Sequence, residues 1–439
     1  MRLPSLRTAF IFSGSLVLVL WAANPRQPYL YALRRIEAPL LVMLALGVLI
    51  AATRLMRTGT DRSVWRQSSV AAALVAMLLG IGHDEAFRRQ RQTVLGGSEA
   101  LRAVGRHFVV GYRSFEETAA LASRGLIGGI YLSRDFARTR SAQRIRAEVL
   151  ALQTLREKAG LPPLIVAADQ EGGEVAHLSP PLEPLPPLAS LADSAEDLDE
   201  RAFAYGTTQG SGLAALGINL NLGPVADLRP NHRRALLDTH TLLHRRAISE
   251  APERVTRVAA GYSRGLREEG VTATFKHFPG LARTRADTHH FAATLDTHMD
   301  TLAASDWKPF REAGASGAAI MLAHVTLAAI DASRPASLSR PVVQELLRQQ
   351  WHFDGLLITD DLNMGAVFRR GVCRSATEAL AAGVDLVLIS YDADQFYPAI
   401  KCAAAAYAAG HLNRDELKES RRRISVTAEW PMARHAERS

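Results

Sequence analysis

From about residue 100 to residue 400, short apolar runs with strand-like composition alternate with longer amphipathic stretches. This alternation limits the fold more than any other feature, because strands that alternate with helices indicate parallel βαβ units. Eight such runs in roughly 300 residues predict an α/β fold, a (β/α)₈ TIM-type barrel. A doubly wound open sheet is the alternative, but no glycine-rich dinucleotide loop follows the first predicted strand.

The predicted strands and helices delimit the domains. The strands are Phe108–Tyr112, Gly129–Ser133, Leu164–Asp169, Asn219–Asp227, Val271–Phe278, Ala318–His324, Gly355–Asp360 and Asp385–Ser390. The helices between them include Ala142–Glu157, Ala202–Leu216, Pro252–Glu269, Pro341–Gln350 and Ser375–Ala382. We therefore place the barrel domain at residues 93–412 and describe residues 413–439 as a charged C-terminal tail.

The first 92 residues are of a different kind. They contain three uncharged apolar runs separated by arginine-rich segments, namely Thr8–Ala23, Ala38–Thr53 and Ser69–Gly82. Each run is a little shorter than the ~20 residues of a usual spanning helix, and arginines that snorkel at its ends can make up part of the difference. A cleaved signal peptide followed by two buried helices is the alternative, but no small-residue cleavage site follows the first run. Residues 1–92 are therefore predicted to be a membrane anchor of about three transmembrane helices.

Charge supports the same division of the chain. The net charge is +8, from 52 basic and 44 acidic residues. Twelve arginines against four acidic residues in 1–92 account for the whole excess, so the remainder is neutral. A neutral domain preceded by a basic, apolar N-terminal segment is typical of membrane attachment and not of nucleic-acid binding. Two cysteines form neither a disulfide framework nor a zinc ribbon.

Polar residues close five of the eight predicted strands at their C-terminal ends. They are Asp169, Asp227, Lys276 with His277, His324 and Asp360. Barrel enzymes build their active sites on this rim, because all parallel strands end there. The pattern predicts a polar cavity that opens at one end of the barrel.

The segment from Lys276 to His289 carries the most chemistry. Asp287 stands two residues before His289, so that its carboxylate can bind one imidazole nitrogen and leave the other free for proton transfer. A solvated loop in which this spacing has no meaning is the alternative. His290 and His277 also allow a metal site, but no helical His-x-x-x-His pattern supports one, and no metal is predicted.

Two further acidic clusters follow strands. Asp360 is expected to point into the rim, while Asp361 could cap the following helix. In Asp169–Gly173 a strand ends in acidic residues and a glycine pair, which permits close approach of a ligand, although a tight turn would look the same. Lys276 is one of only five lysines among 52 basic residues, which suggests a site that requires a compact point charge.

Together these segments resemble glycoside hydrolase family 3, in its β-N-acetylhexosaminidase branch of single-barrel enzymes that remove N-acetylglucosamine from peptidoglycan fragments. The resemblance extends from about residue 100 to 410 in the family's order. It rests on Asp169-Gln-Glu-Gly-Gly, Asn219-Leu-Asn-Leu-Gly-Pro-Val-Ala-Asp227, Lys276-His-Phe-Pro-Gly with Asp287-Thr-His289, Arg334-Pro-Ala-Ser-Leu-Ser339, Thr359-Asp-Asp-Leu-Asn-Met364 and Ala381-Ala-Gly-Val-Asp385.

The resemblance implies a retaining, two-step mechanism without cofactor or metal. Asp360 would be the nucleophile, and His289 paired with Asp287 would act as general acid and base. The resemblance assigns the sugar hydroxyls to the side chains of Asp169, Lys276, His277 and Arg246. It also implies a carbohydrate partner that contains N-acetylglucosamine. The basic, apolar residues 1–92, which ordinary soluble members of the family lack, instead predict a multi-pass protein of the bacterial inner membrane. Arginine counts on the two sides of the membrane are equal, and we favour an inside N-terminus, with the barrel in the periplasm.

The chain departs from the family pattern at two places. Glu174 and His177 stand where the family has arginines, and the second of those arginines helps to hold the sugar, so His177 is a candidate substrate contact. Leu281 and Ala282 replace a His-Gly pair. These departures keep two alternatives open: a β-glucosidase-like hydrolase of the same family, and a degenerate membrane-tethered barrel that binds carbohydrate without cutting it.

Overall fold

The computed structural model describes residues 6–25, 27–34, 36–58, 64–192, 197–231, 241–284 and 287–438. The chain divides into two compact units, Met1–Thr93 and Val94–Ser439. Each of the three apolar runs lies in a helix: α1 (Leu6–Ala23), α2 (Glu37–Thr58) and α3 (Val64–Gly96). A 3₁₀ turn, Pro28–Leu33, follows α1. In the described part of the chain, these three helices are long and apolar enough to cross a membrane.

Small side chains line the contact between these helices. Ala22, Ala45 and Ala76 are buried there, and a Cβ on Gly80 would lie 2.4 Å from Leu41 Cδ2. Membrane helices pack in this way because small residues let their backbones approach. Large apolar side chains point outward and are more than half exposed, namely Phe10, Leu20, Met43 and Leu78. An apolar surface of this extent suits contact with lipid.

The second unit contains a parallel, nearly closed eight-stranded barrel. Its strands are β1 (Phe108–Gly111), β2 (Gly129–Tyr131), β3 (Ile165–Ala168), β4 (Leu220–Asn221), β5 (Thr272–Phe278), β6 (Ala319–Leu322), β7 (Leu357–Thr359) and β8 (Val387–Ile389). Neighbouring strands pair in chain order, and β8 pairs with β1. A single bridge between Ile358 and Leu386 joins β7 to the start of β8. The prediction of eight parallel strands in a barrel-like sheet is therefore confirmed.

One strand is much shorter than predicted. The run Asn219–Asp227 forms a strand only at Leu220–Asn221, since Pro224 has no backbone N–H to donate to the ladder. Pairing resumes at an isolated bridge between Val225 and Lys276. Short strands also occur outside the barrel, at Gln170–Gly172, Val175–Ala176, Ala293–Leu295 and Val325–Leu327.

Helices connect and surround the strands. They are α4 (Glu99–Gly105), α5 (Phe115–Ser123), α6 (Arg134–Arg138), α7 (Ala142–Lys158), α8 (Leu198–Ala215), α9 (Leu243–Arg246), α10 (Pro252–Glu268), α11 (Met299–Ala304), α12 (Lys308–Ser316), α13 (Gly365–Phe368), α14 (Val372–Ala382), α15 (Phe396–Ala408) and α16 (Arg414–Arg438). Pro341–Gln350 is helical with π-type hydrogen bonds, and 3₁₀ turns lie at Leu188–Leu191, Ala336–Leu338 and Ala393–Gln395. All five predicted helices are present with small shifts of their ends.

The barrel interior is filled with apolar side chains, as parallel barrels require. Buried residues from the strands include Val109, Ile165, Leu220, Ile358 and Leu388. Two residues of the C-terminal helix α16, Ile424 and Ala428, belong to the same buried cluster. The apolar filling keeps polar groups at the strand ends, where the candidate site lies.

Candidate active site

Four charged side chains form a largely buried network near the C-terminal ends of β3 and β5, namely Asp169, Glu171, Arg246 and Lys276. Lys276 Nζ lies 2.6 Å from Asp169 Oδ1 and 2.6 Å from Glu171 Oε1. Arg246 binds Glu171 with two nitrogens, at 2.6 and 2.9 Å, and donates to the Thr241 carbonyl at 2.7 Å. Burial raises the pKa of the Glu171 carboxyl, but Arg246 and Lys276 outweigh burial and lower that pKa to about 2. The network therefore stays ionised at neutral pH.

Glu171 was not among the predicted site residues. The sequence nevertheless indicates it, because residues two apart in an extended chain point to the same face, and Glu171 is two residues after Asp169. In the structure Glu171 joins two predicted residues, Lys276 and Arg246, in one ion cluster. It therefore positions both of the cations that the sequence singled out.

Replacing Lys276 with methionine is expected to destabilise the protein by roughly 3–5 kcal/mol, because two buried carboxylates lose the cation between them. The loss should depend on pH. Carboxylates with a lowered folded pKa contribute stability above their unfolded pKa of about 4, and this contribution disappears as the pH falls through the folded pKa. Wild type should therefore lose stability from about pH 4.5 down to about pH 2, and Lys276→Met should lose less over this window.

Thermal unfolding of the full chain in detergent at pH 7 and pH 3.5 measures both effects. Lys308→Met is the matched control, because Lys308 forms an exposed ion pair with Glu253 at 2.7 Å. The control variant should unfold at nearly the wild-type temperature. Equal unfolding temperatures for the two variants would show that the buried network does not stabilise the fold.

Tyr131 links Asp169 to His177. The Tyr131 hydroxyl lies 2.8 Å from Asp169 Oδ2 and 2.8 Å from His177 Nδ1. Burial opposes ionisation of Asp169, but Lys276, His177 and Tyr131 hold its pKa well below the usual range. Because the Asp169 side chain is still 20% exposed, it is the member of the ion network that can meet a ligand. The imidazole that replaces the expected arginine thus lies beside this carboxylate.

His277 and Asp227 form a second pair. Asp227 Oδ2 lies 2.7 Å from His277 Nδ1 and accepts from the His277 backbone N–H at 3.0 Å. The other oxygen, Oδ1, accepts from the Leu281 N–H at 2.8 Å. Leu281 and Ala282, which replace the family's His-Gly pair, are both buried. The departure at these two positions is therefore accommodated by packing.

Asp360 stands directly after β7 and is partly exposed. Its Oδ1 accepts a hydrogen bond from the Asp361 N–H at 2.9 Å. Burial raises the pKa of the Asp360 carboxyl, but the imidazoles of His277, His324 and His289 outweigh burial and keep the pKa below its usual value. An ionised, partly exposed carboxylate among imidazoles can act as a nucleophile.

The prediction that Asp361 caps the following helix is wrong. Met364 is the N-cap of α13, and Asp361 instead joins the loop after β7 to the end of β8. Its Oδ2 accepts from Ser390 Oγ at 2.5 Å and from the Tyr391 N–H at 3.1 Å. Burial raises its pKa to about 6. His324 also contacts this loop, since its Nε2 lies 3.0 Å from the Asp361 carbonyl.

The predicted pairing of Asp287 with His289 is present. Asp287 Oδ1 lies 2.9 Å from His289 Nδ1, and it accepts from the His289 N–H at 2.9 Å and from Thr241 Oγ1 at 3.1 Å. Burial raises the pKa of Asp287, but its bonds with His289 outweigh burial and keep it well below the usual range. Asp287 is 1% exposed, whereas His289 is 29% exposed. The carboxylate is thus enclosed while the imidazole remains accessible.

The structure therefore brings the predicted site residues to one end of the barrel. Lys276 contacts Asp169 directly and is linked to Arg246 through Glu171. Tyr131 links Asp169 to His177. His277 and His289 lie close enough to Asp360 to lower its pKa. Among the residues that the structure describes, no group of three or more His, Cys, Asp or Glu side chains is arranged to hold a metal ion.

A parallel barrel with ionised carboxylates and imidazoles at its strand ends defines a barrel enzyme equipped for nucleophilic and acid–base chemistry. The family model described as "Glycosyl hydrolase family 3 N terminal domain" matches residues 100–426. The chain belongs to glycosyl hydrolase family 3 and is a glycoside hydrolase.

Curated relatives agree with this assignment. A beta-hexosaminidase of Idiomarina loihiensis is 31% identical over 281 residues, which are 63% of this chain and 80% of the relative. A beta-hexosaminidase of Pseudomonas aeruginosa is 34% identical over 268 residues, which are 61% of this chain and 76% of the relative.

Solved structures are also similar. A family 3 beta-N-acetylglucosaminidase from Paenibacillus sp. str. FPU-7 superposes with a TM-score of 0.70 at 30% identity, over 76% of this chain and 62% of that longer chain. A beta-N-acetylhexosaminidase from Beutenbergia cavernae gives a TM-score of 0.67 at 28% identity, over 75% of this chain and 98% of its own.

Proposed function

We propose that this glycoside hydrolase is an exo-acting β-N-acetylglucosaminidase that removes terminal β-linked N-acetylglucosamine from peptidoglycan-type cell-wall fragments, with retention of configuration. The names of its relatives support the choice of sugar. The observation that carries the mechanism is the partly exposed Asp360 carboxylate, whose pKa the imidazoles of His277, His324 and His289 lower against the effect of burial. Of these imidazoles, His289 is held by Asp287 at 2.9 Å.

In the first step, Asp360 attacks the anomeric carbon of the terminal sugar. The carbon–oxygen bond to the leaving group breaks as the bond to Asp360 forms, and protonated His289 gives its proton to the departing oxygen. Asp287 keeps its negative charge, because its folded pKa is low, and it stabilises the imidazolium through the 2.9 Å contact with Nδ1. The His–Asp pair thus acts as the general acid and base, a role that a second carboxylate has in most retaining glycosidases.

In the second step, water releases the sugar. His289 takes a proton from water as the water oxygen attacks the anomeric carbon, and the bond to Asp360 breaks. Two displacements at one carbon restore the original configuration. The enzyme returns to its starting protonation state, so the cycle needs no cofactor.

The remaining predicted residues would bind the sugar. Asp169 is the exposed end of the ion network and can accept hydrogen bonds from hydroxyl groups, while Lys276, which Glu171 also binds, holds it in place. Arg246 already donates to Glu171 and to the Thr241 carbonyl, which leaves only its remaining N–H groups for a ligand. His177, next to Tyr131, would contact the ring in place of the family's arginine.

The proposal is tested with purified full chain and paired aryl substrates, the 4-nitrophenyl β-glycosides of N-acetylglucosamine and of glucose. We expect turnover of the N-acetylglucosaminide and little turnover of the glucoside. A preference for the glucoside would support the β-glucosidase alternative. Binding of wall fragments by calorimetry with no turnover of either substrate would support the non-cutting barrel. Mass spectrometry of wall digests then reports which bond is cut.

We further propose that the barrel faces the periplasm, with α1, α2 and α3 in the inner membrane. A disulfide joins Cys373 on α14 to Cys402 on α15, with Cα atoms 5.5 Å apart. Disulfides persist in oxidising compartments and are rare in the cytosol. Three spans with an inside N-terminus would place Cys373 and Cys402 on the oxidising side.

Protease treatment of spheroplasts tests this orientation. We expect protease to degrade the barrel without lysis, and both cysteines to resist alkylation until a reductant is added. The Cys373→Ala, Cys402→Ala double variant shows the background of alkylation. A barrel that resists protease until lysis, with both thiols freely alkylated, would place it in the cytoplasm.

A further inference from the structure

The segment that carries His289 is attached to the loop that carries Asp360. The Gly365 N–H donates to the His289 carbonyl at 2.7 Å, and the Ala366 N–H donates to the Thr288 carbonyl at 3.3 Å. Gly365 and Ala366 begin α13, five and six residues after Asp360. Two backbone hydrogen bonds thus join the candidate acid and base to the loop of the candidate nucleophile.

The approach at this contact requires a glycine. A Cβ on Gly365 would lie 2.6 Å from the His290 carbonyl oxygen and 2.9 Å from the His289 carbonyl oxygen. Both distances are well inside van der Waals contact, and both neighbours are backbone atoms that no side-chain rotation can move. Gly365 itself is helical, so alanine there would meet no strain in its own backbone. A side chain at this position would act only by displacing the opposite segment.

The opposite segment is a compact turn. The His290 and Phe291 N–H groups donate to the Asp287 carbonyl at 3.1 and 2.9 Å, and the Asp287 carboxylate binds His289. Because these bonds are internal to residues 287–291, a push on the carbonyls of His289 and His290 would move these residues together relative to the Thr241 hydroxyl, which binds the Asp287 carboxylate at 3.1 Å. The Asp360 loop is the firmer partner, because Asp361 is bonded to Ser390 and Tyr391.

We propose that Gly365 is a positioning residue for proton transfer: its N–H and its missing side chain set the distance between His289 and the bond that Asp360 attacks. This inference rests on the proposed function. A substitution at Gly365 would affect only one part of the site, because displacing the 287–291 turn would weaken proton transfer and leave Asp360 and the sugar-binding network in place. A misplacement of about 1 Å can cost on the order of 10²-fold in rate.

The test compares Gly365→Ala with wild type in the full chain, using two aryl N-acetyl-β-glucosaminides. Phenyl is a poor leaving group that needs protonation, whereas 2,4-dinitrophenyl leaves without it. We expect kcat/KM for the phenyl substrate to fall by about 10- to 100-fold, and kcat/KM for the dinitrophenyl substrate to change little. Azide, which attacks the glycosyl-enzyme without a general base, should raise kcat of the variant on the dinitrophenyl substrate.

Gly314→Ala is the matched control, since Gly314 lies in helix α12 and an added Cβ would meet only the Phe353 ring, at 3.6 Å. It should behave as wild type on both substrates. A second measurement places Gly365→Ala in a His289→Ala background, where it should cause no further loss if it acts through His289.

Three outcomes would overturn the inference while leaving the proposed function intact: full activity of Gly365→Ala, equal loss on both substrates, or additive loss in the double variant. A fall in unfolding temperature of more than about 10 °C for Gly365→Ala would show that the position serves folding, and would overturn it as well. A wild-type chain that is inactive on both substrates would instead contradict the proposed function.

Discussion

Asp360→Asn is expected to reduce kcat/KM for the 4-nitrophenyl N-acetyl-β-glucosaminide on the order of 10⁴-fold or more, since an amide cannot form the glycosyl-enzyme bond. Asparagine has the same shape, and its amide oxygen can still accept the 2.9 Å hydrogen bond from the Asp361 N–H. The loop after β7 should therefore keep its conformation. Loss of activity with an unchanged unfolding temperature would assign the defect to chemistry.

Asp415→Asn serves as the control for the loss of one carboxylate. Asp415 is exposed in the first turn of α16, a helix that contributes no residue to the candidate site. This variant should keep wild-type kinetics. Equal activity of Asp360→Asn and wild type, with both clearly active, would remove Asp360 from the mechanism and with it the covalent intermediate.

His289→Ala is expected to reduce kcat/KM for the phenyl substrate by about 10²- to 10⁴-fold, the usual contribution of a positioned acid. The reduction in kcat/KM for the dinitrophenyl substrate should be much smaller, because its leaving group needs no proton. Breakdown of the glycosyl-enzyme then becomes slow, since no base activates water, and added azide should restore turnover as glycosyl azide. Mass spectrometry of the stalled enzyme would show the covalent sugar.

The control for the lost imidazole is His298→Ala. His298 is 78% exposed and pairs with the exposed Asp300 at 3.4 Å. Its replacement should leave the ratio of the two rates unchanged. If His289→Ala lowers kcat/KM by the same factor for both substrates, His289 orients the substrate and another group supplies the proton.

The order of strands and helices could be predicted because it follows from local patterns. Apolar runs such as those now seen in β1, β3 and β5 have the length and composition of buried parallel strands. Pro224 signals a break in the fourth run, but the residue at which β4 ends could not be predicted, because an apolar run does not reveal where its backbone hydrogen-bond ladder stops. The burial of Ile424 and Ala428 in the barrel core was hidden for a similar reason, since they lie in a helix rich in charge.

Most residues of the candidate site could be identified from the sequence, but the hydrogen bonds and ion pairs between them could not. Asp169, Lys276 and Asp360 stand out as polar groups at strand ends, and Asp287 with His289 stands out by spacing. Glu171, Thr241 and Asp361 gained their roles from residues far along the chain. Hydrogen bonds between distant segments depend on the packing of loops, which no local pattern encodes.

The sequence by itself determined the class of fold, the apolar N-terminal helices and the residues that can do chemistry, because periodicity and residue type are local properties. The tertiary structure alone decided which charges share a network, which aspartate anchors a loop, and that the His289 segment is hydrogen-bonded to the start of α13 at Gly365. These features arise where segments from different strands meet at one end of the barrel, and their distances depend on the closure of the whole sheet.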